Sequence, residues 1–435
     1  MPGRCFDINN LIRGRLTGQE EMKEALSMLP AMLQADLEAR EITPEMVIGA
    51  ADKLSRSMRK EELAAALAAT GMEYETAAGL VEQAITELGR PSLLKKLERE
   101  LGNDPFTPVE VEKGVWEQYQ PLGVLTHIAA GNAAGLPAMS VLEGLLAGNI
   151  NLLKLPGGDE GISTLLLFML VEAEPRLAPY IYVFDLPSHD VESIKALSNV
   201  SDGVAVWGSD AAVSGIRAIT PPGTAIIEWG HKLSFGYVTK SGESEEALHG
   251  LATDICSTEQ LLCSSPQCVY YETDDRYALL DFAQRFAKIM AQVSSRYPHA
   301  RIDIHSQSEI TAAVELARME EVLGEKAVIR DSEYNWSVLV DYESGVKPSP
   351  LFRNVWIMPI KRENILDILR PNIGHLQTAG LACGDEEYEE IACLFFKSGV
   401  NRITLCGEMS RGYMGEPHDG AYALRRYVRR VSFRR

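Results

Sequence analysis

From Gly123 onward the sequence predicts an α/β fold built on a doubly wound parallel sheet, preceded by a helical N-terminal region. Three observations predict it. Short apolar or β-branched runs alternate with helix-period segments between Gly123 and Glu228. Asp or Gly stands where those helices should begin or end, and the first hundred residues carry helical periodicity without strand signals. With 435 residues, 46% hydrophobic and 24% charged, the chain belongs to the ordinary globular class and has material for two or three domains.

The helical region reads as Gly18–Leu29, Thr43–Ser55, Lys60–Thr70 and Tyr74–Leu88, punctuated by Pro30, Gly71 and Pro91, with Pro44 suited to a first helical position. It carries no catalytic grouping and is expected to pack on the main body or on a second subunit. Strands follow at Gly123–Ala130, Ile150–Leu155, Tyr180–Leu186, Gly203–Trp207 and Thr224–Glu228. Between them lie helices at Leu136–Ala147, Asp159–Glu174, Asp190–Ser198 and Asp210–Ile219. Gly148-Asn149 suits a left-handed C-cap of the first, and Asp opens the others at or near the N-cap. A second α/β stretch reads as a helix near Glu245–Cys256, a strand near Gln267–Glu272 and a long helix Asp275–Ser294. Then come a helix Thr311–Leu323, strands Trp336–Asp341 and Val355–Ile360, a helix Lys361–Leu369, a strand Arg402–Cys406, a loop Gly407–Gly420 and a basic end.

Charge excludes partners. With 42 Lys+Arg against 61 Asp+Glu the net charge is −19, which repels phosphate backbones and anionic lipid surfaces, so nucleic acid is not expected as a ligand. The arginines of Arg425–Arg435 are expected on an exposed face or subunit contact, paired with acidic neighbours. The strongest apolar run, Leu165–Val171, falls far short of the ~20 residues of a membrane span, and the N-terminus opens no apolar leader; a cytoplasmic protein is expected. Seven cysteines, odd in number and without a CxxC pair, argue against disulfides and against a structural zinc site. An important cysteine should therefore matter as a thiol.

Several turns carry chemistry. No GxGxxG fingerprint follows the first strand, where the turn reads Gly131-Asn132-Ala133-Ala134-Gly135. Lys154-Leu155-Pro156-Gly157-Gly158 places a cation and glycines at the C-terminal edge of a strand, where a ribose or phosphate fits, although a lone lysine there also reads as a surface residue. Gly208-Ser209-Asp210 presents small residues at a helix N-terminus, equally a pyrophosphate cradle or a plain N-cap. Cys263 lies on a loop before a strand; the residues alone leave it open between a small buried cysteine and an accessible thiol. Cys256 and Cys268 fall in a helix and an apolar strand and read as core.

Taken together, Pro121-Leu122-Gly123-Val124, Gly131-Asn132, Gly148-Asn149 with Lys154-Leu155-Pro156, Gly208-Ser209, Glu228-Trp229-Gly230-His231-Lys232 and Cys263 resemble the aldehyde dehydrogenase superfamily in order and rough spacing. Within it, Asp254-Ile255-Cys256, Glu259-Gln260 and Cys263-Ser264-Ser265-Pro266-Gln267 resemble the LuxC family, the fatty acyl thioester reductases of bioluminescence operons. Gln377-Thr378, Gly399-Val400, Arg402-Ile403 and His418-Asp419-Gly420 extend the match over roughly residues 110 to 430.

The resemblance implies an aldehyde dehydrogenase-like fold with a helical region 1–105, a dinucleotide-binding domain 106–238, a catalytic domain 239–398 and a C-terminal segment 399–435 returning to the cofactor domain or a subunit interface. It implies a reductase that takes a long-chain acyl group from CoA or an acyl-protein onto Cys263 and reduces it with NADPH, NADH being the alternative. Asn132 and the backbone N–H of Cys263 would hold the oxyanion. Lys154, Pro156, Gly208 and Ser209 would hold the cofactor, although Gly208–Val213 lacks a glycine the superfamily often has. Glu228 matches the water-activating base of hydrolytic members; here it would deprotonate Cys263, protonate a leaving group, or hold the cofactor. His231 is either a catalytic acid/base or, the reading preferred, a ring hydrogen-bonded in a turn. The expected partners are the acyl donor, a second copy of the chain in a homo-oligomer, and an acyl-transferring protein. The alternatives are a reductase of acyl phosphates or short acyl-CoAs, and a catalytically silent scaffold of the same fold.

Overall fold

The computed structural model describes residues 9–68, 74–129, 135–159, 161–299 and 302–435. The chain divides into two units: one holds residues up to Ala65, Ala78–Gly230 and Tyr413–Arg435, the other Ala66–Ala77 and His231–Gly412.

The first unit is organised on a seven-stranded sheet. Its order is Arg15–Thr17, Asn10–Ile12, Ile181–Phe184, Ile150–Lys154, Val124–Ile128, Gly203–Trp207, Ala225–Trp229. The last five strands run parallel. Val124–Ile128 is first in this parallel set yet central in space, with the next two strands on one side and the following two on the other. The direction of winding therefore reverses beside it, and a crevice opens beyond the C-terminal ends of these strands. Near-continuous burial of four of them, all but Ala225–Trp229 at the edge, explains their apolar, non-alternating sequences. All five expected strands and four expected helices of this region are present, with ends shifted by at most three residues.

A buried polar network seats the helix Leu136–Leu146 on this sheet. His127 is fully buried, and burial depresses its pKa to about 4, with the Asn151 hydrogen bond opposing, so the ring is neutral. Nε2 lies 3.0 Å from Asn151 Oδ1 and Nδ1 lies 2.8 Å from Ser140 Oγ. An amide oxygen only accepts, so Nε2–H donates to it and Nδ1 accepts from the serine hydroxyl. Gly144 must lack a side chain, because a Cβ there would meet Asn151 Oδ1 at 1.8 Å.

The N-terminal helices pack in the same hydrophobic core. The first runs Gln19–Glu38, straight through Pro30, where the sequence suggested a stop after Leu29. Its buried stripe Met22, Ala25, Leu29, Leu33 continues on both sides of the exposed proline, and that burial outweighs the lost backbone hydrogen bond. A helix Arg90–Leu101 was not expected. The basic end is a strand, Val428–Arg434, pairing antiparallel with Val115–Pro121, which in turn pairs with Val109–Glu112. Arg430 meets Glu117 at 3.0 Å, the acidic pairing the composition suggested.

The second unit has its own seven-stranded sheet, ordered Lys326–Arg330, Ser337–Asp341, Asn354–Ile360, Pro266–Glu272, Leu233–Val238, Leu376–Ala382, Arg402–Leu405. All neighbours are parallel except the first pair. Hydrophobic cores cover both faces, one built on the helices Glu245–Cys256 and Arg276–Ser294, the other including residues of Ile304–Val322 and Tyr388–Ser398. The helix foreseen at Thr311–Leu323 begins earlier, at Ile304, capped by Asp303.

Asp254, on Glu245–Cys256, accepts the backbone N–H of Gly407 at 2.6 Å and of Met409 at 3.1 Å. Burial raises its pKa to about 7; Glu408 reinforces the rise, and N–H groups of Gly407, Met409 and Ser410 oppose it. The folded chain thus holds a proton that the unfolded chain releases near pH 3.9. Its stabilising contribution is complete below that pH and disappears as pH rises through about 7. Between pH 5 and 8 the parent protein should lose more stability than Asp254→Asn, read as the change in urea midpoint.

Candidate active site

Cys263 stands on the connection between helix Glu245–Cys256 and the central strand Pro266–Glu272, and its side chain is exposed. The thiols flanking it are not available in the same way. Cys256 and Cys268 are buried, and burial pushes each up to about 12, with Arg353 opposing at Cys256 and Tyr270 at Cys268. Among the described residues no disulfide forms and no cluster of His, Cys, Asp or Glu is arranged to hold a metal.

The loop carrying Cys263 is tied down on several sides. Ser234 Oγ donates to the Cys263 carbonyl at 2.7 Å and accepts the N–H of Thr378 at 3.0 Å, linking the loop to two neighbouring strands. Gln260 Nε2 donates to the Pro266 carbonyl at 2.9 Å, closing the turn across Cys263. Thr258 and Ser265 share a hydroxyl contact of 2.6 Å. Gln267 Oε1 accepts the N–H of Ser349 at 3.2 Å. These bonds fix the backbone while leaving the sulfur at the surface of the unit.

The other expected site residues gather in the first unit, at the C-terminal ends of its parallel strands. Lys154 ends Ile150–Lys154 with only 3% of its surface exposed, and Nζ donates to Ser188 Oγ at 2.9 Å. Burial lowers its pKa, and Asp185 partly restores it. Its burial excludes the plain surface-lysine reading. Pro156 lies buried in the following turn. Gly208 has φ +153, and a Cβ there would press to 3.3 Å on Ala212 Cβ. Ser209 is the N-cap of Asp210–Ile219, accepting the Ala212 N–H at 3.3 Å. Glu228 lies on Ala225–Trp229, one third exposed, in an ion pair with Arg217. Asn132 lies outside the described residues, which resume at Gly135 ahead of the helix Leu136–Leu146. Cys263 belongs to the second unit. His231 is exposed, and its carbonyl accepts from His375 Nδ1 at 3.3 Å.

The sequence did not foretell an aromatic wall at the same strand ends. Trp207 stacks on Trp229 at 5.3 Å, and His418 packs on them at 5.2 and 4.9 Å. Arg426 lies over Trp229 at 4.6 Å and donates to the Glu228 carbonyl at 3.1 Å. Two tryptophans ending successive strands, Gly203–Trp207 and Ala225–Trp229, were the available signal.

Solved structures share this architecture. An NAD-dependent aldehyde dehydrogenase from Sinorhizobium meliloti superposes with a TM-score of 0.77 over 98% of this chain and 93% of its own, at 13% identity. A mutant of the indole-3-acetaldehyde dehydrogenase AldA of P. syringae, in complex with NAD+ and IAA, gives 0.77 over 99% and 96%, at 12% identity. The fold is aldehyde dehydrogenase-like. The long-chain acyl-protein thioester reductase of Aliivibrio fischeri is 27% identical over 329 residues, 73% of this chain, and that of Vibrio harveyi is 26% identical over 320 residues, 72% of this chain. The matched region spans about 65% of the length of each of these relatives. The family model described as acyl-CoA reductase (LuxC) matches residues 39–430, and the chain belongs to that family.

Proposed function

We propose that the protein reduces a long-chain acyl thioester, carried by CoA or by a protein, to the aldehyde with NADPH, through an acyl group held on Cys263. The observation that carries this reading is an exposed thiol on a loop fixed by hydrogen bonds, in a chain of the acyl-CoA reductase family. The names of the relatives point to long-chain acyl-proteins as donors.

The Cys263 thiolate attacks the thioester carbonyl, the tetrahedral oxyanion collapses, and the donor thiolate leaves and takes up a proton. One thioester replaces another, so the exchange is nearly thermoneutral. Asn132 and the Cys263 backbone N–H supply the oxyanion donors. A bound nicotinamide supplies hydride to the acyl carbon. Cys263 then leaves as thiolate when the carbonyl re-forms, releasing aldehyde.

The residues fit a dinucleotide. Lys154 offers a buried, oriented cation, and the Gly208-Ser209 turn opens a helix whose first N–H groups suit a pyrophosphate. The left-handed glycine leaves backbone open to close approach. Glu228 is assigned to the cofactor side of the site or to proton transfer at Cys263, because activating water there would hydrolyse the acyl group before reduction. The protein is proposed to work in the cytoplasm as a homo-oligomer receiving its acyl group from CoA or an acyl-transferring protein; no helix among the described residues is long and apolar enough to cross a membrane.

The test is acyl transfer without cofactor. Labelled long-chain acyl-CoA should leave its label on the Cys263 peptide and not on that of Cys393, the other exposed cysteine among the described residues. A label elsewhere, or none with CoA and acyl-protein donors alike, overturns the reading.

A further inference from the structure

A buried ion pair anchors the loop that presents Cys263, and the chemistry above leaves it unused. Arg353 is fully buried. Its guanidinium pairs with Glu259, which is 7% exposed and stands four residues before Cys263. The two N–H groups of Nη1 are surrounded by the Ser294 carbonyl at 3.1 Å, Ser294 Oγ at 2.9 Å, the Tyr297 carbonyl at 3.2 Å and His299 Nε2 at 3.1 Å, while Nη2 donates to the Pro298 carbonyl at 2.7 Å. The arginine thus fastens the Cys263 loop to the C-terminal end of the helix Arg276–Ser294.

The backbone around the pair is held in a conformation that side chains disfavour. Glu259 and Gln260 have φ of +52 and +59, and Leu351, Phe352 and Arg353 have +64, +51 and +66. Non-glycine residues persist there only where surrounding contacts over-determine them. The two left-handed runs meet directly, with the Phe352 N–H donating to the Glu259 carbonyl at 2.9 Å. Gln260, next in line, spans the turn to Pro266. A buried charge needs its partner, and a guanidinium binds a carboxylate in few orientations, so this pair tolerates less sliding than an apolar contact.

We propose that Glu259 and Arg353 are positioning residues whose ion pair sets the stance of the Cys263 sulfur. The inference rests on the reading of Cys263 as nucleophile. Arg353 keeps its carbonyl acceptors from residues 294, 297 and 298 when Glu259 is changed, so Glu259 variants are the ones to make. Glu259→Ala should lower kcat for aldehyde formation by about 10²-fold, the effect of an ångström-scale misplacement, with KM for the thioester unchanged. The pH midpoint of Cys263 alkylation by iodoacetamide, followed by peptide mass spectrometry, should shift from the parent's, because the surroundings of the sulfur change. Glu259→Gln, equal in length but uncharged, should fall between, and it carries the comparison if the alanine variant does not fold. Parental kcat and alkylation profile in a folded variant overturn the proposal. If the parent protein is not acylated at Cys263, the functional reading fails, while a displaced alkylation midpoint still reports what the pair does to the thiol.

Discussion

Cys263→Ala should abolish acyl labelling and reduce aldehyde formation by about 10⁴-fold or more, because the proposed route runs through an acyl group on this sulfur. The thermal midpoint should hardly move. The side chain is exposed, so its removal leaves no cavity, and the loop bonds through the Cys263 carbonyl, Gln260 and Thr258 remain. Rapid-quench measurement of labelled protein and of aldehyde, with calorimetry alongside, reads both parts. A variant that still forms aldehyde at the parental rate would reassign the nucleophile.

Asn132→Ala should leave the thiol reactive toward alkylating agents and lower the rates of acyl transfer and of reduction by about 10²–10³-fold each, the usual loss for one oxyanion donor. Both steps put negative charge on the same carbonyl oxygen, so both should fall together. Single-turnover acylation and single-turnover reduction measure them separately. A loss confined to reduction would instead mark Asn132 as a group that orients the cofactor. Asn132→Asp is the sharper variant, since a carboxylate in that place repels the developing oxyanion.

The first sheet was legible in sequence because its strands are short apolar runs set off by capping residues, such as Asp190 ahead of Val191–Asn199. Two strands beside the predicted central strand of the second sheet were not. Leu233–Val238 and Leu376–Ala382 carry Gly236 and Gly380, which depress strand signals. Both glycines have packing reasons: a Cβ at Gly236 would meet Leu251 at 2.7 Å, and one at Gly380 would meet the Met409 sulfur at 2.5 Å. Lys326–Arg330 and the N-terminal hairpin are short edge elements with little periodicity. Of the site, the turns around Lys154 and Gly208 follow from spacing and resemblance, and Cys263 stands out by resemblance; its exposure does not follow, because a lone cysteine just ahead of an apolar strand reads first as a small buried residue. The Arg353 anchor does not, because an arginine just ahead of a strand reads as a surface residue, and only the three-dimensional meeting of two distant loops buries it.

The serine that holds the Cys263 carbonyl has a consequence for how the protein is made. Ser234 receives its own backbone partner from Thr378, in the strand Leu376–Ala382, well over a hundred residues further along the chain. At a ribosomal pace of ~5–20 residues per second, roughly ten seconds separate synthesis of the thiol from synthesis of the strand that completes its support. Long-range parallel pairing is also slow to form. Cys263 therefore emerges before all of its support exists, and the hydrogen-bond relay through Ser234 to its carbonyl is complete only when the C-terminal part of its unit docks, after most of the chain has left the ribosome.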